Sequence, residues 1–282
     1  MKPWLPLNKD FLAMAEKEII LRHKPALEDL FARYNHREFV HPDPLEFLYN
    51  YEKSEDREVV GLIASSLAYG RVFQILKSVE AVLNRIGSPC DFVKTTPERT
   101  IFEIFRGFKY RFTTGQEMAA LIVGVQRALE TYGTLVACFE AGFKGEDNSI
   151  FPALCHFVHV VSNNDPGQVK SLLPDPKRGS ACKRLNLYLR WMVRKDDVDP
   201  GGWDNIPASA LIVPLDTHMH RISLILGLTE RKQSDMRTAL EITQAFQTIE
   251  PDDPVRYDFC LTRLGIRSDT APHKFFHFTA TE

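Results

Sequence analysis

Residues 57–70, Arg-Glu-Val-Val-Gly-Leu-Ile-Ala-Ser-Ser-Leu-Ala-Tyr-Gly, make a helix-length run that is apolar on nearly every side. A helix without a polar face cannot lie on a surface. It has to be central, with other elements packed around it. The following segment, Arg71-Val-Phe-Gln-Ile-Leu-Lys-Ser-Val-Glu-Ala-Val-Leu-Asn-Arg-Ile-Gly87, is amphipathic and stops at its glycine. Two helices meeting near Gly70 are therefore predicted over 55–86.

The rest of the chain supplies more helices. Leu12, Ala15, Ile19, Leu27, Leu30 and Phe31 repeat at helical spacing over 11–34. Asn35, Pro42 and Pro44 break the pattern, and Pro44 opens a short helix. Further helices are predicted at 91–106, 115–132, 133–142, 149–162, 181–194, 217–227, 235–249 and 254–265. Asp253, Pro254 and Gly265 punctuate the last as N-cap, first position and C-cap. No alternating pattern persists and no fixed repeat recurs. The fold class is all-α, with a flexible tail after about residue 268.

Lys+Arg total 35 and Asp+Glu 37, a formal charge of −2 over 282 residues. Such a balance excludes wholesale polyanion coating but permits a local basic face. No apolar run reaches the roughly 20 residues of a membrane span, and the first residues lack a signal-peptide core. No membrane association and a cytoplasmic location are expected. Cys90, Cys138, Cys155, Cys182 and Cys260 form no CxxC and no close pair. They are expected to be free thiols, with no zinc site and no iron–sulfur cluster.

Charge is concentrated in one place. Lys170–Lys195 holds eight basic residues and one acid, a net +7, which leaves −9 on the remainder. On a helical wheel Leu185, Tyr188, Leu189, Met192 and Val193 share one face. Lys183, Asn186, Arg190 and Arg194 share the other. The polar stripe is either a solvated face or a docking surface for a polyanion. Gly179 and Ser180 read as the turn and N-cap of this helix, placing Lys183 near its third position. The positive end of the macrodipole disfavours an ammonium there and enriches the neutral, nucleophilic amine. Lys183 is therefore either a nucleophile or an exposed lysine bearing a small penalty.

The segment Ile212-Val-Pro-Leu-Asp-Thr-His-Met-His-Arg221 carries the second candidate. Asp216 precedes an apolar helix and as N-cap accepts its first amides, which stabilise the carboxylate. It is either a cap alone or a cap that also stabilises a developing cation. Asp216, His218 and His220 also match a D-x-H-x-H metal pattern of barrel amidohydrolases, but only 62 residues follow His220, too few for that barrel. His156 and His159 have no acidic partner nearby in sequence and are expected to pack or face solvent.

Gly179-Ser-Ala-Cys-Lys183 resembles the G-x-G-x-K hairpin of the helix-hairpin-helix DNA glycosylases, the superfamily of endonuclease III and 8-oxoguanine glycosylase. Val213-Pro-Leu-Asp-Thr-His-Met-His-Arg-Ile222 is similar to the segment bearing that superfamily's catalytic aspartate. These stretches, with Pro254-Val-Arg-Tyr-Asp-Phe-Cys-Leu-Thr-Arg-Leu-Gly-Ile266, also resemble an uncharacterised, mostly bacterial family, domain of unknown function 2400, over roughly 10–268. The resemblance implies a two-lobed helical fold with an interlobe cleft. Residues 1–54 would pack on the second lobe, 55–170 would form one lobe, 171–268 the other, and 269–282 a tail. It implies a monomer that needs no cofactor and acts on damaged DNA. Lys183 would attack the sugar and Asp216 would stabilise its charge. Lys177, Arg178, Gly179, Ser180 and Arg184 would grip DNA.

This chain departs from the superfamily pattern. Ala181 replaces the second hairpin glycine, and Lys183 and Asp216 stand 33 residues apart, with Trp203 in the added loop. Tyr69 or Arg71 sits where relatives place a residue that probes the DNA stack. Three readings follow: a base-excision glycosylase with lyase activity, a non-catalytic nucleic-acid-binding module, and a metal-dependent or small-molecule hydrolase.

Overall fold

The computed structural model describes residues 17–143 and 150–266. The expectations for residues 11–16, for position 149 and for the tail at 267–282 lie outside them. Helix α1 (Lys24–Tyr34) follows a turn at Arg22 and His23. The single helix expected over 11–34 is thus broken, because Pro25 has no amide hydrogen to offer the preceding turn. A 3₁₀ segment, Pro44–Asn50, is capped by Asp43 and leads to α2 (Ser54–Ser66).

α2 is the central helix that its composition requires. Every residue from Glu58 to Ser66 is buried. Its partners come from both halves of the chain: the 3₁₀ segment, α4 (Pro89–Thr95) and, most extensively, α9 (Lys183–Val193). Gly61 packs against the ring of Tyr188, where an added Cβ would lie 3.1 Å from Cε2.

Between α2 and α4 runs the amphipathic α3 (Val72–Ile86), ended by Gly87 at φ +58°. α4 and α5 (Glu98–Phe105) replace the one helix expected over 91–106, since Pro97 interrupts the ladder. α6 (Gly115–Tyr132) occupies its expected span, opened by a capping box between Thr114 and Glu117. α7 (Leu135–Glu140) and α8 (Phe151–Val161) pack beside it. One feature departs from the all-helical pattern: β1 (Lys109–Tyr110) and β2 (Thr113–Thr114) pair as a minimal antiparallel hairpin.

The second half continues with α10 (Thr217–Ile225), α11 (Met236–Ile249) and α12 (Asp258–Ile266). The last helix starts four residues later than Asp253-Pro254 suggests and runs through Gly265. Residues 251–257 form turns, and Asp253 is drawn to Arg194 instead. α1 rests on α12 and is tied across the chain. His23 Nε2 donates to the Leu226 carbonyl at 2.9 Å, and Lys24 Nζ to that of Ile249 at 3.0 Å. One continuous apolar core joins residues from Leu27 to Leu264. No described helix is long and apolar enough to cross a membrane.

Candidate active site

The loop before α9 is built from local caps. Asp175 Oδ1 accepts from Lys177 N at 3.0 Å and opens the 3₁₀ turn Pro176–Arg178. Gly179 follows at φ +79°, and its carbonyl accepts from Met236 N at 3.0 Å, docking the turn on the start of α11. Lys177, Arg178, Gly179 and Ser180 are exposed. Ser180 Oγ accepts from Cys182 N at 3.3 Å, so the serine caps the turn and not the helix. Cys182 takes the N-cap position at φ +49° without a side-chain cap. Lys183 is thus the first residue of α9 and not the third. Burial pushes the Cys182 thiol up to about 12, so it stays protonated at neutral pH.

Asp216 caps α10 as its position suggests. Its Oδ1 accepts from His218 N at 2.9 Å and from Met219 N at 2.8 Å. The other oxygen, Oδ2, lies 3.3 Å from Lys183 Nζ. One carboxylate therefore divides its work: one oxygen fixes the side chain to a helix start, and the other faces an amine from a different helix start. Both side chains keep about a third of their surface open, 32% for Lys183 and 29% for Asp216.

The rest of the basic segment does not form the free face drawn on the wheel. Arg184 turns inward, donating from Nη1 to the carbonyls of Ser66 and Ser171, both at 2.6 Å. Its guanidinium also sits 5.0 Å from the Tyr69 ring centroid. Those carbonyls need donors, so Arg184 is a structural tie as well as a part-buried cation. Asn186, Arg190 and Arg194 are buried as well. Arg190 binds Asp199 and Asp258, while Arg194 binds Asp196, Asp199 and Asp253. A buried guanidinium requires such partners. Two of the segment's eight cations are thereby paired with acids that lie beyond it in sequence.

Asp258 is the residue that sequence reasoning passed over. It is fully enclosed, Oδ2 receives Arg190 Nη1, and Oδ1 has no hydrogen-bond partner among the described residues. Burial raises its carboxyl to about 6, opposed by Arg190 and reinforced by the charge of Asp216, with Lys183 pulling it back down. A third acid thus lies within electrostatic reach of the Lys183–Asp216 pair. The signal was an aspartate inside an apolar run, Tyr257-Asp-Phe-Cys-Leu261, where an acid needs a buried partner.

The histidines near Asp216 point elsewhere. His218 Nε2 donates to the Leu261 carbonyl at 3.3 Å, and His220 Nε2 to that of Arg231 at 2.7 Å. No three His, Cys, Asp or Glu side chains converge as a metal site among the described residues. Trp203 belongs to the core, with its indole Nε1 donating to buried Glu58 at 2.9 Å, and does not shape the surroundings of Lys183. His156 packs edge-on against Tyr132.

A family model described as a protein of unknown function (DUF2400) matches residues 43–267, well over half of the chain. No curated protein and no solved structure matches it.

Proposed function

The chain belongs to the DUF2400 family of proteins of unknown function, and on that footing we propose that it is a DNA-repair enzyme of the helix-hairpin-helix glycosylase type. One observation carries the reading. Two side chains 33 residues apart in sequence, each at the start of its own helix, meet at 3.3 Å while both remain partly open to solvent. A nucleophile and a charge stabiliser need that proximity.

In the proposed reaction the deprotonated Lys183 amine attacks the sugar C1′. The C–N bond to the enzyme forms as the glycosidic bond breaks, and its electron pair leaves with the base, which takes up a proton. The sugar ring opens to an imine. Loss of a C2′ proton then expels the 3′ phosphate. Asp216 Oδ2 faces the positive charge that builds on the sugar, while Oδ1 remains committed to the cap. The two-lobed arrangement and a phosphate grip by Lys177, Arg178, Gly179 and Ser180 belong to the same proposal; the exposure of those four residues supports it. A second reading is favoured by the ion pair itself, since each charge already has a partner: a non-catalytic nucleic-acid module in which Lys183 and Asp216 only tie α9 to α10.

Base release on a panel of duplexes with single lesions separates the two. Asp216→Asn keeps the cap, because Asn caps helices about as well as Asp. It loses the charge, so release should slow by about a hundredfold or more. No release from any lesion by the wild type, with equal DNA binding by both proteins, would leave the module reading.

A further inference from the structure

Between α3 and the β1–β2 hairpin lies an open depression of about 480 Å³. Arg71 at the N-cap of α3 and Lys77 and Arg85 on it line one side, Lys109 and Arg111 of the hairpin the other, and no carboxylate lines it. None of these five ion-pairs with an acid among the described residues, whereas nearby Arg99 and Arg127 each hold a glutamate. Five unpaired cations around one hollow repel one another, and a polyanion relieves that repulsion. From Arg71, at the N-cap, to Arg85 the cations run over 14 steps of chain, about 21 Å at helical rise, too long for one phosphate and suited to a run of them.

Two exposed aromatic residues are chain neighbours of the lining residues Arg111 and Gln74. Phe112 at the hairpin tip is 74% exposed and Phe73 on α3 is 70% exposed. The hairpin holds Phe112 out deliberately. Arg111 adopts φ +48° beside it, with its guanidinium 5.6 Å from the Phe112 ring. Tyr69 Oη donates to the Tyr110 carbonyl at 3.0 Å, which fixes the hairpin to the α2–α3 turn. Gly70, at φ +98°, admits that closeness: a Cβ there would lie 2.6 Å from Arg111 Nη1. Aromatic faces beside a cationic groove are how unpaired bases are stacked, whereas a duplex keeps its bases covered.

We infer that this depression is a track for single-stranded nucleic acid, its cations holding successive phosphates and Phe112 and Phe73 stacking on unpaired bases. The track is independent of any chemistry at Lys183. Tyr69 nevertheless links the two regions, since Arg111 and Arg184, the neighbour of Lys183, both approach its ring, at 6.0 and 5.0 Å.

Fluorescence anisotropy of the full chain with labelled oligothymidine, a matched duplex, inorganic polyphosphate and phosphatidylserine vesicles tests this. The wild type should bind the single strand, and loss of the track's cations should weaken the single strand more than the duplex. Lys77→Glu with Arg85→Glu should weaken oligothymidine binding by about tenfold or more and flatten its salt dependence. Phe112→Ala should weaken oligothymidine by about tenfold and leave polyphosphate, which has no bases, unchanged. An iodouracil-substituted strand photo-crosslinked to the wild type should label Phe112 or Phe73, a readout that needs no variant. Binding to vesicles but not to oligothymidine, an equal loss of duplex and oligothymidine binding in the double variant, or wild-type affinity in both variants would each overturn the inference. Asp216→Asn should bind oligothymidine normally, so failure of the glycosylase reading and failure of the track are told apart.

Discussion

Asp258 shows at the scale of one residue what burial does to an acid. Its folded-state carboxyl is raised to about 6 from an ordinary value of 3.8, so between those values the folded chain holds a proton that the unfolded chain has released. Stability from this group is full below about pH 4 and is lost as pH rises through about 6. Asp258→Asn stays neutral throughout. Its stability relative to wild type should therefore rise between pH 4 and 7, by on the order of 2–3 kcal/mol, in urea melts at each pH. A difference that does not change with pH would mean that Arg190 holds Asp258 ionised throughout. The aspartate that starts α10 was legible in the sequence, whereas the start of α9 was not, because Ser180 caps the preceding turn and Cys182 takes the N-cap position. The 3.3 Å meeting of Lys183 and Asp216 was hidden too, because it depends on how α9 and α10 pack. The carbonyl ties of Arg184 were hidden for a related reason: a wheel shows which way a side chain leaves its helix, and not which carbonyls wait there.

Among elements, the central helix was the most readable, because an apolar run with no polar side has one place to go. Its charged exception, Glu58, is an organising residue. Oε2 accepts from Leu135 N at 2.8 Å, and Oε1 accepts from Val136 N at 3.1 Å and from Trp203 Nε1 at 2.9 Å. One side chain on α2 thus caps α7 and anchors the loop that brings Trp203 into the core. Burial raises its carboxyl, and the three donors work against that rise. Glu58→Gln would set an amide NH2 against a buried N–H donor. We expect a loss of about 2–3 kcal/mol in thermal or urea unfolding, as for other charge-assisted bonds broken in a core. An unchanged midpoint would remove Glu58 as the organiser. Helix ends were less readable than helices. Pro25 and Pro97 split segments whose periodicity continues across them, and the hairpin at 109–114 is too short for any alternation to reveal.

Across the whole molecule, charge in sequence and charge in space part company. The +7 segment gives Arg190 and Arg194 to a buried network with Asp196, Asp199, Asp253 and Asp258. Counting along the chain cannot see this, since Asp253 and Asp258 lie about sixty residues away. What remains outside is Lys170, Lys177, Arg178 and Lys195, with Lys183 about a third open and paired with Asp216. The account of the molecule as an enzyme stands on that lysine. Borohydride reduction during incubation with an abasic or lesion-bearing duplex measures it most directly, because it fixes an imine as a stable protein–DNA adduct. The proposed chemistry predicts an adduct with wild type and none with Lys183→Gln, while DNA affinity is largely kept, since one amine adds little to phosphate binding. An adduct that persists in Lys183→Gln, or none from a wild type that binds and releases base, would contradict Lys183 as the nucleophile.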